Sequence, residues 1–302
     1  MIKLITHDDM DGIGCAIVGK LLLQEELDIN YCNYNNVNEV VTNAVENHEL
    51  YSKIYITDIS VNEEVAELLE TIKDKIILLD HHLTTTWLNK YDWATVCDYD
   101  EKEVKVSGIY MLYNLLTSKP ILGLELINNS LSTFVRLVRL YDTWLWKEVN
   151  YKEPKQLNDL FLMMGRDEFI NMVTNKIYLN DTNFIDATNT YLLKIRQMEI
   201  NNYIDEKEKT LTPKTVRSYE VGVVFAEQFI SEMGNVLSER HPEFDLIAMI
   251  DIGKNKISYR TVKDDVNVGE FATIYGGGGI KKASGSEFDT WINKCIIDEL
   301  LH

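Results

Sequence analysis

The sequence predicts an α/β protein: an N-terminal domain on a doubly wound, mainly parallel sheet, a linker helix, and a smaller α/β domain. Strands and helices alternate over the first 80 residues, which is the pattern of a doubly wound sheet. A charged helical stretch near residue 200 precedes a second set of predicted strands. The 302 residues also suffice for two domains, at roughly 150 residues each.

The predicted domain boundaries follow from that charged stretch. The first domain comprises residues 1–186, the linker helix residues 187–211, and the second domain residues 212–302. The alternative is that the charged stretch is a solvated surface helix of one larger domain.

The strands of the first domain are predicted from apolar runs that do not alternate with polar residues. Such runs are typical of strands buried on both faces, as in a parallel sheet. The predicted strands are residues 2–6, 29–34, 53–57 and 75–79, and the helices between them are residues 13–23, 37–48 and 61–72. The carboxyl ends of these strands would share one sheet edge, where open α/β folds bind ligands.

Helical patterns dominate from residue 104 to the linker. The predicted helices are residues 106–116, 125–146 and 154–164, followed by an irregular segment over residues 176–186 and the charged helix over residues 191–209. The second domain is predicted to contain strands 221–226, 246–250 and 256–260 and short helices 232–239 and 268–275.

The composition excludes several functional classes. The formal net charge is −18, from 48 acidic and 30 basic side chains, so the basic face that grips long nucleic-acid duplexes is not expected. A small anion can still bind where the local potential is positive. No apolar run reaches the roughly 18 residues of a membrane helix. The first residues lack the order of a signal peptide, and we expect a cytoplasmic protein.

The cysteines indicate neither a zinc ribbon nor a disulfide framework, because they form no C-x-x-C pair. We expect them to be small buried apolar residues. They are Cys15, Cys32, Cys97 and Cys295.

Acidic and imidazole side chains follow three of the predicted strands. They are His7, Asp9 and Asp11 after the first strand, Asp58 after the third, and Asp80, His81 and His82 after the fourth. One aspartate at such a position is usually a helix N-cap, but capping alone is a poor explanation for three strand ends. Alternate residues of an extended segment point to the same side, so the first three side chains can converge. The set predicts a metal site at this sheet edge.

Asp142 lies in an apolar helical stretch and has two interpretations. It is either the ion-pair partner of Arg139, three residues earlier on the same helix, or a further metal ligand. The residues alone favour the ion pair.

A run of four glycines is the second candidate site. Glycines let the backbone approach a ligand closely, and their N–H groups can cradle an anion. The run consists of Gly276, Gly277, Gly278 and Gly279, and Ile280, Lys281 and Lys282 follow it. Together with Ser258 and Arg260 on a nearby predicted strand, the run predicts a phosphate site. The alternative is a mobile turn.

The order of these motifs resembles the DHH phosphoesterase family. The motif His7-x-Asp9-x-Asp11-Gly12 is followed by Asp58, by Asp80-His81-His82 and by Asp142. The glycine run resembles the signature of the associated C-terminal DHHA1 domain. Residues 134–144 and 157–161 are most similar to bacterial oligoribonucleases of the nanoRNase B type. The motifs extend from residue 7 to residue 285, and their joint match is specific.

The resemblance implies two divalent metal ions in the first domain, usually manganese, with magnesium as the alternative. The first ion would be held by His7, Asp9 and Asp58, and the second by Asp11, Asp58, His81 and Asp142. Asp80 would support the site or bind the first ion, and His82 would face the substrate phosphate. Carboxylates with a few imidazoles suit these metals. The implied substrate contacts are Arg139, Ser258, Arg260, Lys281 and the four glycines.

The resemblance also implies a metal-dependent phosphodiesterase that degrades short oligoribonucleotides to mononucleotides, with a two-metal-activated hydroxide attacking phosphorus. His82 would polarise the phosphate or help to protonate the leaving group, with Asp80 beside it. The second domain would fold over the cleft, and the helix before it would act as a hinge. The expected partner is short RNA or a dinucleotide, with neither a long duplex nor a membrane.

Other functions stay open at this point. One is cleavage of a cyclic or linear signalling dinucleotide, another is a phosphatase acting on 3′-phosphoadenosine 5′-phosphate, and the non-enzymatic alternative is a nucleotide-sequestering protein. Cleavage polarity, substrate length, the physiological metal and homodimer formation are also open. The family signature has a histidine after the four glycines, and Ile280 at that position puts substrate choice in doubt.

Overall fold

The structure, a computed structural model, describes residues 1–118 and 128–301. The chain divides into two compact units, Met1–Leu193 and Lys194–His302.

The first unit contains a five-stranded sheet in which every neighbouring pair of strands is parallel. Its strands are β1 (Ile2–His7), β2 (Leu27–Cys32), β3 (Lys53–Thr57), β4 (Ile76–Asp80) and β5 (Ala94–Val96), in the order β2-β1-β3-β4-β5. Four of these strands were predicted. The fifth has only three residues and is too short for a recognisable apolar run.

Eight α-helices are described in the first unit, together with three short 3₁₀ segments. The helices are α1 (Met10–Leu22), α2 (Val37–Glu46), α3 (Glu63–Glu70), α4 (Gly108–Thr117), α5 (Asn129–Asp142), α6 (Leu145–Glu148), α7 (Glu153–Met164) and α8 (Arg166–Tyr178). The 3₁₀ segments are His48–Leu50, Lys73–Lys75 and Leu83–Lys90.

Helices cover both faces of the parallel sheet. On one face, Leu4, Tyr55 and Leu79 pack in a core with α1, α4, α5, α7 and α8. On the other, Ile5 and Ile56 pack with α2 and α3. This alternation along each strand confirms the predicted doubly wound α/β class. Because β2 and β3 lie on opposite sides of β1, the connections diverge at its carboxyl end, which is where such sheets bind ligands.

Two predictions for the helical region need correction. Residues 176–178 were expected to be irregular but form the last turn of α8, because their apolar neighbours continue a helical face into the core. The single helix predicted over residues 125–146 is described from Asn129 and stops at Asp142, where Trp144 adopts a left-handed conformation. Residues 125–127 of that prediction lie outside the described residues.

The second unit contains a six-stranded mixed sheet of order β10-β11-β9-β8-β7-β6, in which only β7 and β8 are parallel. Its strands are β6 (Thr212–Val216), β7 (Tyr219–Phe225), β8 (Leu246–Asp251), β9 (Lys256–Arg260), β10 (Gly278–Ile280) and β11 (Ala283–Glu287). Its helices are α10 (Ile230–Arg240), α11 (Val268–Thr273) and α12 (Trp291–Leu300).

The long helix α9 (Ala187–Glu208) forms most of the predicted linker, residues 187–211, and contains residues of both units. Asn189 donates a hydrogen bond to the Phe184 carbonyl at 3.0 Å in the first unit. Ile200 and Ile204 belong to the core of the second unit. The domain boundaries proposed above stay a prediction. Among the helices of the described residues, none combines the length and the apolar character needed to cross a membrane.

The glycine run forms part of a hairpin rather than an open loop. Gly278–Ile280 pairs antiparallel with residues 283–285 of β11. A Cβ atom on Gly277 would lie 2.1 Å from the Gly285 carbonyl oxygen, and one on Gly279 would lie 2.5 Å from the Ser284 Cα. Glycine is therefore required at both positions by close packing against β11.

Candidate metal centre

The first part of the site lies where β1 gives way to α1. Asp9 is the N-cap of α1, and its Oδ1 accepts hydrogen bonds from the backbone N–H groups of Asp11 and Gly12, both at 3.0 Å. Its Oδ2 lies 2.9 Å from His7 Nδ1. A Cβ atom on Gly12 would lie 2.1 Å from the His7 carbonyl oxygen, so only glycine permits this tight turn. Asp9 thus caps the helix with one oxygen and presents the other to His7.

Asp58 lies at the centre of the acidic cluster, immediately after β3. Its side chain is 1% exposed, and its backbone has a positive φ of 61°, which is uncommon outside glycine. Its Oδ1 is 3.2 Å from His81 Nε2, and its Oδ2 is 3.9 Å from His7 Nδ1. Asp58 is therefore the carboxylate shared by the residues that follow β1 and β4.

Asp80 at the end of β4 is enclosed by hydrogen-bond donors. Its Oδ1 accepts from the His81 N–H at 2.8 Å and lies 2.7 Å from His82 Nδ1. Its Oδ2 accepts from the hydroxyls of Ser60 at 2.5 Å and Thr85 at 3.1 Å. These contacts hold Asp80 and His82 in one orientation, so the arrangement suits a positioning role for Asp80.

His81 connects Asp58 to the residues on the helical side of the cluster. Its Nε2 lies 3.3 Å from Asp142 Oδ2 and 4.0 Å from Asp11 Oδ2. Arg139 does not pair with Asp142: its guanidinium donates to the Lys105 carbonyl at 2.8 Å and lies over the Tyr110 ring. The ion pair that the residues alone favoured is therefore absent, and Asp142 faces His81.

Asp11 has a second structural role that the sequence did not reveal. Its carboxylate receives the N-terminus of α4: Oδ2 accepts from the Gly108 N–H at 2.5 Å, and Oδ1 accepts from the Ile109 N–H at 3.1 Å and the Ser107 hydroxyl at 3.0 Å. A Cβ atom on Gly108 would lie 2.5 Å from Asp58 Cβ and 2.9 Å from Asp11 Oδ2. Glycine at 108 lets α4 approach both carboxylates.

Burial dominates the electrostatics of the three most enclosed carboxylates. It raises the pKa of Asp58 well above its ordinary value, raises the pKa of Asp11, and raises the pKa of Asp142 to about 9, with the neighbouring acids adding to each shift. Burial also opposes the charge on Asp80, but the hydrogen bonds from His82 and Ser60 outweigh it and lower its pKa. Ionisation of one of these carboxylates therefore makes ionisation of its neighbours less favourable.

The cluster fits divalent cations. Three buried atoms, His7 Nδ1, Asp58 Oδ2 and Asp142 Oδ2, have no hydrogen-bond partner of acceptable geometry in the described residues, and such orphans are costly. Ligand atoms lie within 4.8 Å of one another in three overlapping groups. They are His7, Asp9 and Asp58; Asp11, His81 and Asp142; and Asp58, Asp80, His81 and His82. Carboxylate oxygens and imidazole nitrogens suit manganese or magnesium.

Tyr34 is a site residue that sequence reasoning missed. Its hydroxyl lies 3.3 Å from His82 Nε2, and its ring centroid lies 5.2 Å from that of His7. Burial and the nearby acids raise the pKa of Tyr34 to about 12, so its hydroxyl stays protonated. The only available signal was its position in the turn after β2, which the asparagine-rich sequence around it concealed.

The second unit contains a cavity of 620 Å³ around Arg260. Its lining includes Lys256, Ser258, Arg260, Gly276, Gly277, Gly278 and Ser284. Arg260 is half-buried, and in the part of the chain that the structure describes no carboxylate lies within 4 Å of it; its guanidinium donates to the Tyr259 carbonyl and the Ser231 hydroxyl. Burial lowers the pKa of the guanidinium, which would gain from an anionic partner.

The glycine run contributes to this cavity differently from the prediction. The N–H groups of Gly276 and Gly277 donate to the carbonyls of Thr273 and Ala272 at the end of α11, so neither N–H is free to cradle an anion. Neither Gly279 nor Lys281 is among the lining residues. The positive charge of the cavity comes from Arg260 and Lys256.

Comparisons with known proteins agree with this fold. Residues 1–137 match the model of the DHH family, N-terminal domain. The chain is 35% identical over 306 residues to the oligoribonuclease NrnB of Bacillus subtilis (strain 168), covering 99% of this chain and 76% of that protein.

Two solved structures share the fold at low sequence identity. The pGpG-specific phosphodiesterase PggH of Vibrio cholerae is 13% identical, with a TM-score of 0.51 over 99% of this chain and 97% of that one. RecJ of Thermus thermophilus, solved in complex with Mn²⁺, is also 13% identical, with a TM-score of 0.55 over 99% of this chain and 51% of that one.

The parallel sheet has helices on both faces and a buried cluster of carboxylates and imidazoles at its carboxyl edge. Together with the similarity to an oligoribonuclease, these features define a hydrolase of the phosphodiesterase class. More particularly, the chain belongs to the DHH family and is similar to the oligoribonuclease NrnB over almost its whole length. The family resemblance drawn from the motifs is confirmed. The roles of the individual site residues stay predictions.

Proposed function

We propose that this protein hydrolyses short oligoribonucleotides to mononucleotides in a manganese- or magnesium-dependent reaction. The observation that carries the proposal is the convergence of His7, Asp58, His81 and Asp142 in a chain 35% identical to an oligoribonuclease. Three of their buried ligand atoms lack a hydrogen bond of acceptable geometry within the described residues. The net charge of −18 disfavours a long polyanion, and a short substrate meets fewer of these acids.

Two metal ions bound at this cluster would supply an activated nucleophile and charge neutralisation at the phosphate. His7, Asp9 and Asp58 would hold one ion, and Asp11, Asp58, His81 and Asp142 the other. The protein's own contribution is to hold His82, whose Nδ1 lies 2.7 Å from Asp80 and whose Nε2 is directed toward the Tyr34 hydroxyl. His82 can therefore polarise a phosphate or move a proton, and its contact with Asp80 raises its pKa.

The first experiment is a time course on a labelled five-nucleotide RNA with manganese. We expect a ladder of products that ends at mononucleotides and that is lost in Asp80→Ala and His81→Ala, and labels at either end in turn would show the direction of cleavage. An intact oligomer would refute the proposal. Cyclic dinucleotides and 3′-phosphoadenosine 5′-phosphate would then be offered, and tight binding without turnover would indicate sequestration.

We predict that Arg260→Met raises KM for short RNA about 10-fold or more, because a half-buried guanidinium without a carboxylate partner is suited to bind a substrate phosphate. The kcat should change little, since the lost contact is made equally in the ground and transition states. Steady-state kinetics measure both constants. Arg240→Met is the matched control, because Arg240 is already paired with Asp205 and Glu208. An equal effect in both variants would contradict the prediction.

Ile280 offers a test of the departure from the family signature. The residue is 71% exposed on β10, so a histidine fits there without repacking the core. We expect Ile280→His to lower KM for a 5′-phosphorylated dinucleotide several-fold, because an imidazole can donate to a phosphate oxygen and isoleucine cannot. The unphosphorylated dinucleotide is the control and should show no gain. An unchanged or higher KM for the phosphorylated substrate would count against the idea.

A further inference from the structure

Trp144 combines an uncommon backbone conformation with an exposed aromatic ring. Its φ of 63° and ψ of 2° lie in the left-handed region, which is costly for a bulky residue. Such strain persists only where the surroundings enforce it, and it is concentrated at functional sites. The residue is nevertheless exposed, at 59% of its full accessible area.

The end of α5 enforces this conformation. Thr143 is buried and bonds back to the Arg139 carbonyl twice, from its N–H at 3.0 Å and from its hydroxyl at 2.6 Å. The Trp144 N–H donates to the Tyr141 carbonyl at 3.0 Å. The turn is therefore fixed immediately after Asp142, and it holds the backbone of Trp144 next to that residue.

One face of the indole contacts a lysine, and the backbone of Trp144 lies close to a residue of the acidic cluster. The Lys147 ammonium lies 4.3 Å from the ring centroid, in a cation–π contact. Two peptide units separate Asp142 from Trp144, so their Cα atoms are at most about 7.6 Å apart. Asp142 Oδ2 itself lies 3.3 Å from His81 Nε2. Trp144 is thus an exposed aromatic residue whose backbone lies close to that of Asp142, one of the residues of the cluster.

Given the phosphodiesterase function proposed above, on which this inference rests, we propose that Trp144 stacks on a nucleobase of the substrate while an adjacent phosphate is bound at the acidic cluster. Stacking on an aromatic ring tolerates any base, which matches a substrate defined by its short length rather than its sequence. The Lys147 ammonium would then lie on the face of the indole opposite the base. The Tyr34 hydroxyl lies 3.3 Å from His82 Nε2, so we assign Tyr34 to His82 rather than to a base.

The test compares Trp144→Ala and Trp144→Phe on a 5′-phosphorylated adenylate dinucleotide with manganese, and on the same dinucleotide without its bases. We expect Trp144→Ala to raise KM for the complete dinucleotide about 10-fold with kcat within about twofold, and Trp144→Phe to stay near wild type. On the abasic substrate, wild type and Trp144→Ala should have the same KM. Trp291→Ala is the matched control, because Trp291 is similarly exposed, at 66%, in the second unit.

Two results would overturn the inference: an unchanged KM of Trp144→Ala for the complete dinucleotide, or an equal rise in KM on the abasic one. If the wild-type protein does not hydrolyse the dinucleotide, the proposed function fails, and a fluorescence titration decides the inference separately. Quenching of tryptophan emission by the dinucleotide that disappears in Trp144→Phe, but persists in Trp291→Phe, supports stacking. Quenching that persists in Trp144→Phe, or its absence from the wild-type protein, refutes it.

Discussion

Asp58→Asn is expected to lower kcat at least about 1,000-fold while making the metal-free protein more stable. Asp58 is fully buried between His7 and His81, and its Oδ2 has no hydrogen-bond partner in the described residues. Asparagine tolerates the left-handed backbone at this position, so the variant should keep the fold. It removes a charge that the metal ions need and that the empty site tolerates poorly.

The stability effect has a defined dependence on pH. Burial raises the pKa of Asp58 in the folded protein above its unfolded value of about 4. The folded state therefore binds more protons than the unfolded state between those two values, and the metal-free wild type loses stability as pH rises through that window. Asp142 and Asp11, whose pKa values are also raised by burial, add to the same trend.

Thermal unfolding in EDTA at pH 5 and pH 8 measures this effect. Asp58→Asn should raise the metal-free stability by about 2 kcal/mol at pH 8 and by less at pH 5, because the raised pKa of Asp58 makes its burial more costly as pH rises. Manganese should raise the Tm of the wild type and not that of the variant. Asp92→Asn, a change at an exposed carboxylate, is the control. A variant that binds manganese as tightly as wild type, by calorimetry, would contradict the assignment of Asp58.

The sheet and the set of acids at its edge were predictable from sequence because both depend on local patterns. The buried runs at residues 53–57 and 75–79 are typical of strands with two covered faces, and the residues that follow parallel strands share one edge of the sheet. The motif after β1 adds the one constraint that a glycine follows Asp11. At these positions the backbone conformation, the burial and the side-chain chemistry all follow from short stretches of sequence, so the strands and the acids after them could be predicted.

What the sequence did not reveal depends on contacts between distant segments. The N-terminus of α4 donates to Asp11 across 96 to 98 residues, and no local pattern announces that approach. Tyr34 reaches His82 across 48 residues from a turn that resembles any other asparagine-rich turn. The glycine run was interpreted as a free loop, whereas close packing against β11 imposes the glycines. In each case the role of the residue depends on a contact with a segment that is not its neighbour in the predicted pattern.

Asp11→Asn is expected to abolish hydrolysis as completely as Asp58→Asn, but with the opposite effect on stability. The two oxygens of Asp11 accept from Ser107, Gly108 and Ile109 at the start of α4. An asparagine offers one acceptor and turns an amide N–H₂ toward the remaining donors, so the cap of α4 is broken. The loss of a buried cap of this kind costs about 2 kcal/mol, and we expect this cost to exceed the stability that the variant gains by removing the buried charge of Asp11.

The measurement is the same EDTA unfolding experiment, extended by amide exchange in Gly108–Thr117. We expect Asp11→Asn to unfold at a lower temperature than wild type at pH 8 and to exchange faster in the first turn of α4, whereas Asp58→Asn unfolds at a higher temperature with that turn intact. If Asp11→Asn were as stable as Asp58→Asn, the hydrogen bonds to α4 would contribute nothing, and Asp11 would serve the metals alone. Opposite changes in stability would therefore distinguish the two carboxylates: Asp11 binds the metal ions and also stabilises α4, whereas Asp58 serves only the metal ions.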